Sequence, residues 1–211
     1  MDLRIRKGVF SKEILKSKIK ELPTDKIPII IAGGSFNGQN RETLLTEEGQ
    51  KMLEELIKKI NNEKAYFVIG HKMEGFEKAL VDISKKLNKK FEIDAIVPKM
   101  MSEENGQKLI NENIDKIRIS TENEDSGIYK SFNYEIFERR SSVVVAFDGN
   151  SPVSNLVQEA KNGKGKSKIY VNAQNTSLYE KAKSLTGYVV PFNSGDNIVD
   201  RILQENPEIA E

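Results

Sequence analysis

Short apolar runs alternate with segments of helical periodicity along most of this chain. Runs of Ile and Val without polar alternation are typical of strands that are buried on both faces. Seven such runs predict strands, at 27–32, 65–69, within 91–97, and at 116–119, 142–147, 168–171 and 188–190.

Apolar residues at helical spacing separate these runs. Between 47 and 60 they fall on one face of a helix, and the same period predicts helices at 76–87, 156–160, 178–185 and 198–203. Strands that alternate with helices predict βαβ units with right-handed crossovers. We therefore expect an α/β, Rossmann-like three-layer sandwich with a mainly parallel sheet and helices on both faces.

The first clear strand begins only after 25 residues. Residues 1–25 are expected to form an N-terminal extension, an extra strand and helix that pack on one edge of the core. Residues 26–211 are expected to form a single domain, which is a common size for one sheet with two helical layers.

Composition narrows the possible functions. The formal net charge is +1, with both signs interspersed, which argues against binding to duplex nucleic acid. The chain has no cysteine and one histidine, so thiolate and multi-histidine sites are excluded, and we expect no metal and no cofactor. No apolar signal core opens the chain and no run approaches the roughly 20 residues that span a bilayer. These features predict a cytoplasmic protein that does not associate with membranes.

Candidate chemistry lies where the predicted strands end, because parallel sheets bind ligands at their carboxyl edge. Glycines in these loops let backbone N–H groups approach a ligand, and a helix that follows favours a phosphate. Arg41, just after the first loop, suits either a phosphate or the solvated surface. The predicted ligand-binding loops contain Gly33, Gly34, Ser35, Phe36 and Asn37, then Gly70, His71 and Lys72, and then Asp148, Gly149, Asn150 and Ser151.

The first loop matches no common phosphate-binding motif. Its glycines at 33, 34 and 38 do not fit G-x-G-x-x-G, and the Lys-Ser/Thr pair of a Walker A motif is missing. A tight turn that merely needs glycine is the alternative interpretation of this loop.

Three segments resemble the SLOG superfamily, over about residues 27–171. They are the strand followed by GGS, the segment IGHKMEGFEKAL, and the run FNYEIFERRSSVVVAFDGNSPVSNLVQEA. That superfamily includes Smf-type DNA-processing proteins, LOG-type phosphoribohydrolases and ligand-sensing domains of bacterial antiviral systems. The resemblance implies a Rossmann-like fold, an ADP-ribose or cyclic ADP-ribose type ligand, a homo-oligomer, and an effector protein or domain that the sensor controls. It adds Asn155 and Glu159 to the loop residues as implied ligand contacts.

An enzyme is the alternative function. LOG enzymes carry P-G-G-x-G-T-x-x-E, whereas the matching stretch here lacks the Gly-Thr pair and places Glu159 one position out of register. Nucleoside deoxyribosyltransferases are also similar, and Asp148 and Glu159 would be the catalytic carboxylates of such an N-glycosidic-bond hydrolase or transferase. A binder of single-stranded DNA of the Smf kind is a third interpretation, which the near-neutral charge disfavours.

Several of these side chains also have ordinary structural interpretations. Asp148 could accept hydrogen bonds from ribose hydroxyls or cap a turn. Glu159 could be a nucleophile or belong to the polar face of its helix. His71 could contact a phosphate, act as a general acid, or have no role in function. Arg139 and Arg140 could clamp an anion, or could pair with a carboxylate and face solvent. Three aromatic residues could stack on a base or belong to the core: Tyr129, Phe132 and Tyr134.

Overall fold

The computed structural model describes most of the chain, and a seven-stranded sheet is its main feature. It describes residues 4–6, 18, 20–33, 46–98, 100–112, 114–119, 128–149, 151–174, 178–180, 189–193 and 196–211. The strands are β1 (Arg4–Arg6), β2 (Ile27–Ala32), β3 (Ala65–Ile69), β4 (Ile93–Val97), β5 (Met100–Ser102), β6 (Lys116–Ile119), β7 (Val143–Ala146), β8 (Lys168–Asn172) and β9 (Val189–Phe192).

The helices lie between these strands in the chain. They are α1 (Glu47–Lys59), α2 (Gly75–Lys86), α3 (Glu103–Asn111), α4 (Ile128–Phe132), which continues as a π-helix (Asn133–Phe137), α5 (Ser151–Asn162) and α6 (Ile198–Glu205), with a 3₁₀ turn at Pro207–Ile209. None of the helices within the described ranges is long and apolar enough to cross a membrane.

All seven strands of the main sheet run parallel, in the order β6-β4-β3-β2-β7-β8-β9. From β2 the chain moves outward through β3 and β4 to β6. It then returns to β7, beside β2, and moves outward on the other side through β8 to β9. The predicted Rossmann-like α/β sandwich is therefore confirmed, and the order of the strands reverses between β2 and β7, which is where such folds bind ligands. Strands β1 and β5 form a separate parallel pair.

Alternate residues of each strand enter two apolar clusters, one on each face of the sheet. Ile29 and Ile31 of β2 pack with α1, α2 and α6, whereas Ile30 and Ala32 pack with α4 and α5. This alternation follows from the two-residue period of a strand. Because both faces are buried, the strands appear in the sequence as continuous apolar runs.

Helix α1 has strong end signals. The Thr46 hydroxyl accepts a hydrogen bond from the Gly49 N–H at 3.1 Å, acidic residues fill the first turn, and Lys58 and Lys59 lie in the last turn. The Phe76 ring of α2 packs against Gly49, where an added Cβ would lie 2.7 Å from the ring. Helices α1 and α2 therefore lie in close contact.

In the predicted N-terminal extension, β1 pairs with β5, and Lys18 and Lys20 lie beside the outer strand β6. The Ile117 N–H donates to the Lys18 carbonyl at 2.8 Å, and the Lys20 N–H donates to the Ile117 carbonyl at 3.2 Å. Leu22 is buried against the α4–α5 face of the sheet. Residues 1–3, 7–17 and 19 lie outside the described residues, so the expected extra helix stays a prediction.

Candidate functional site

The ends of β2 and β7 meet directly at the point where the strand order reverses. Gly33 has a φ of +134°, and a Cβ added there would lie 3.2 Å from the backbone N of Asp148 and 3.3 Å from its O. The Phe147 N–H donates to the Ala32 carbonyl at 3.0 Å, and the Phe76 N–H donates to the Gly33 carbonyl at 3.1 Å. Thus the first and third predicted loops are in contact, and the start of α2 is joined to them.

The turn from β7 into α5 requires glycine. Gly149 has a φ of +139°, and an added Cβ would lie 2.2 Å from Cγ2 of Val153 in the first turn of the helix. Asp148, just before it, is buried, with 3% of its surface exposed. The close approach of this turn to α5 brings the helix N-terminus to the carboxyl edge of the sheet.

The second predicted loop is held by an acidic residue of α2. Glu77 Oε1 accepts from the Gly70 N–H at 3.0 Å, and Oε2 accepts from the Met73 N–H at 3.3 Å. Met73 adopts a φ of 53°, which is uncommon for a residue other than glycine. A Cβ on Gly70 would lie 2.9 Å from Glu77 Oε1. The carboxyl group therefore braces the loop on both sides of His71 and Lys72.

Gly33 of the first loop and the second loop line a pocket with a cavity volume of about 90 Å³, whereas Asp148 and Gly149 of the third loop are not among its lining residues. A mostly apolar lining with a few polar groups is typical of small-molecule sites, and we call these two sets of residues the apolar wall and the polar wall. The polar wall contains Gly33, Gly70, His71, Lys72 and Glu77, and the apolar wall contains Ile30, Ile31, Ala32, Ile128, Tyr129, Phe132, Pro152, Val153 and Leu156.

Glu77 is a charged residue of the pocket lining that the sequence analysis missed. It is 8% exposed, and burial raises its pKa to about 7, although the N–H groups of Gly70 and Met73 oppose this rise. Glu77 is the third residue of α2, a position from which Glu side chains commonly reach back to free N–H groups. That pattern was the available signal, but the sequence does not show that the side chain lines a pocket.

The structure brings six predicted residues to the carboxyl edge: Gly33, Gly70, His71, Lys72, Asp148 and Gly149. Ser151 begins α5 next to pocket-lining Pro152, whereas Asn155 is exposed and is not among the residues that line the pocket. Six others lie outside the described residues: Gly34, Ser35, Phe36, Asn37, Arg41 and Asn150.

Arg139 and Arg140 lie at the opposite edge of the sheet. The π-helix ends at Phe137, and both arginines lie in the turn before the amino end of β7. Arg140 Nη1 donates to the carbonyl of Pro23, which precedes the amino end of β2. The Arg139 guanidinium lies 4.4 Å from the centre of the Tyr134 ring. The structure therefore separates both arginines from the pocket, and the anion clamp proposed for them does not form there.

Glu159 is also separate from the pocket. It lies eight residues beyond the start of α5, which corresponds to about 12 Å along the helix axis. Asn133 Nδ2 donates to Glu159 Oε2 at 2.9 Å, so the carboxylate joins α5 to the π-helix. Asp148 and Glu159 are therefore not brought together as a catalytic pair. Of the three aromatic candidates, Tyr129 and Phe132 line the pocket, and Tyr134 is exposed.

No group of three or more acidic or histidine side chains that could hold a metal occurs among the residues described. Comparison with protein-family models and with curated proteins finds no match to this chain. The geometry of the pocket is therefore the basis for a functional assignment.

Proposed function

We propose that this chain binds a nucleotide-derived small molecule, of the ADP-ribose or cyclic ADP-ribose type, in the pocket at the carboxyl edge of its sheet. The convergence of the strand-end loops at the reversal of strand order carries this proposal. Gly33, the Gly70–Lys72 loop and the first turn of α5 all border the same pocket. Open parallel sheets bind nucleotides at this position.

The two walls suit the two halves of such a ligand. The apolar wall, with Tyr129 and Phe132, offers a surface for a planar base. The polar wall offers the ammonium group of Lys72, and the N-terminus of α5 lies next to the pocket through Pro152 and Val153. A cation and a helix N-terminus both favour phosphate.

The SLOG-like segments support a sensor role for this site. In that proposal the chain acts in antiviral defence as part of a homo-oligomer and controls an effector protein or domain. The alternative function, cleavage or transfer at an N-glycosidic bond, requires carboxylates at the ligand. The position of Glu159 on the third turn of α5, with Asn133 as its partner, favours binding over that chemistry.

Calorimetry with ADP-ribose, cyclic ADP-ribose isomers, NAD, AMP and adenosine tests the proposal. A ligand present at 100 times its Kd adds about 2.7 kcal/mol to the free energy of unfolding, which a thermal shift detects.

Lys72→Glu should weaken ADP-ribose binding by about tenfold or more, because a charge-assisted contact is worth about 1.5–3 kcal/mol.

Lys130→Glu is the matched control. Lys130 is exposed on α4 next to Tyr129 and does not line the pocket, so the same charge reversal there should leave the Kd unchanged. The proposal fails if none of these nucleotides shifts the melting temperature, or if the Lys72 variant binds ADP-ribose as tightly as the wild type.

A further inference from the structure

The Glu77 carboxylate has acceptor capacity that the described part of the chain does not use. An ionised carboxylate offers about four acceptor positions. The N–H groups of Gly70 and Met73 occupy one position on each oxygen. Glu77 lines the pocket, and within the described parts of the chain it makes no salt bridge, although the charge of Lys72 acts on it from a distance. Each oxygen therefore keeps an acceptor position for a ligand.

A buried carboxyl group without a cationic partner lowers stability, so its presence in a pocket wall calls for a reason. Bracing the loop accounts for the two backbone hydrogen bonds. It leaves the second acceptor position on each oxygen without a partner among the described residues. Acidic side chains whose pKa is strongly shifted cluster at functional sites.

The place of Glu77 in the fold indicates which ligand group it meets. It follows β3, the strand next to β2 on the side away from β7. In open parallel sheets that bind dinucleotides, an acidic residue that follows the neighbouring strand accepts the hydroxyl groups of a ribose. Glu77 reaches that region from the first turn of α2, although no acidic residue lies in the loop directly after the strand until Glu74.

We propose that Glu77 is the specificity-determining residue of the pocket and that its two carboxylate oxygens accept hydrogen bonds from the 2′- and 3′-hydroxyl groups of an adenosine ribose. This inference rests on the proposed nucleotide site. Two acceptors on one planar group match two donors on adjacent carbons, so the contact selects ribonucleotides over deoxyribonucleotides. A site built to bond a hydroxyl group rejects a ligand that lacks it, because the buried acceptor is then left without a partner.

Calorimetric titration with AMP, 2′-deoxy-AMP and 3′-deoxy-AMP tests this contact. The wild type should bind AMP about tenfold or more tightly than either deoxy analogue. In Glu77→Gln the difference should fall below about threefold, because the amide offers one acceptor oxygen instead of two. Glu77→Asp should lose the difference as well, since its shorter side chain withdraws the carboxylate from the ribose.

Asp82→Asn is the control, because Asp82 is exposed on the same helix and pairs with Lys78 there. It should keep the full preference for AMP. If Glu77 only braces the loop, its substitution weakens all three nucleotides by the same factor, and that result overturns the inference. A wild type that does not distinguish the three nucleotides, or does not bind them while it binds ADP-ribose, also overturns it, whether or not the variants fold. Failure of every nucleotide to bind, ADP-ribose included, instead overturns the proposed function.

Discussion

Glycines with positive φ angles set how closely the strand ends approach one another. Gly33 contacts the backbone of Asp148, and Gly149 contacts Val153, so each site lacks space for a side chain as well as favouring glycine conformationally. The carboxyl edge of the sheet can therefore place backbone N–H groups next to a ligand. At this scale the shape of the pocket depends on the absence of two Cβ atoms.

Gly149→Ala is expected to lower the free energy of unfolding by roughly 1–3 kcal/mol, since the new methyl group meets Val153 in an unfavourable backbone conformation. Urea denaturation monitored by circular dichroism measures the effect. Asn155→Ala, at an exposed position of the same helix, should change stability by no more than about 0.5 kcal/mol. An alanine variant at 149 with wild-type stability would contradict this description of the turn.

Individual residues show what a sequence predicts of such a site. The glycines at 33, 70 and 149 were predictable, because Gly33 and Gly70 directly follow apolar runs that predict strands and Gly149 follows another such run after one residue, Asp148. The role of Glu77 was not predictable, because an acidic residue at the start of an amphipathic helix is typical of helices in general. Its importance arises from burial beside the pocket, which depends on contacts between α2 and a loop seven residues earlier.

Helix α5 and the π-helix illustrate contacts between elements. Helical spacing predicted only 156–160 of α5, and Asn133 of the π-helix donates to Glu159 of α5 across 26 residues of chain. The Gly165 N–H donates to the Phe137 carbonyl at 2.6 Å, at the end of the π-helix. The position at which this helix ends is therefore associated with a long-range contact, which no local pattern in the sequence specifies.

Glu159→Ala is expected to lower the free energy of unfolding by about 1 kcal/mol through loss of the hydrogen bond with Asn133, and to leave the Kd for ADP-ribose unchanged. Glu159→Gln keeps an acceptor oxygen and should match the wild type in both measurements. Chemical denaturation and calorimetry give the two values. A large loss of nucleotide affinity in the alanine variant would instead return Glu159 to the binding site.

Across the described residues of the molecule, the buried carboxyl groups of Asp94 and Glu77 make stability depend on pH. Burial raises the pKa of Asp94 from 3.8 to about 7, with the negative charge of Glu92 adding to the effect and Lys116 opposing it. Burial likewise raises the pKa of Glu77 from 4.5 to about 7. The folded state therefore holds both protons more tightly than the unfolded chain. Their stabilising contribution is complete below about pH 4 and is lost as the pH rises through 7.

Asp94→Asn is expected to match the wild type at pH 5 and to be roughly 1–3 kcal/mol more stable at pH 8, where the wild type has an ionised carboxylate in its core. Urea denaturation across this pH range measures whether the free energy of unfolding changes in this direction. Asp82→Asn changes an exposed acid and should leave the pH profile as it is. A wild type whose stability rises between pH 5 and pH 8 would show that other groups dominate.

The fold as a whole was the most predictable level. Strands β2 and β3 match the apolar runs at 27–32 and 65–69 residue for residue, because burial on both faces removes polar positions from a strand. The outermost strand β6 also matches its predicted bounds, 116–119, although charged residues alternate with apolar ones there. The order of the strands in the sheet could not be predicted in this way. It depends on which side of β2 each crossover takes, and no single run of residues specifies that choice.

The division of the sheet into two apolar clusters has an evolutionary consequence. The apolar wall of the pocket is built mainly from the cluster that packs with α4 and α5, whereas α1 and α6 pack only on the opposite cluster. Mutations of the residues beneath α1 and α6 can therefore increase stability without altering the apolar wall of the pocket. A lineage descended from this chain could therefore reshape the apolar wall of the pocket on the α4–α5 side while the residues beneath α1 and α6 are inherited intact.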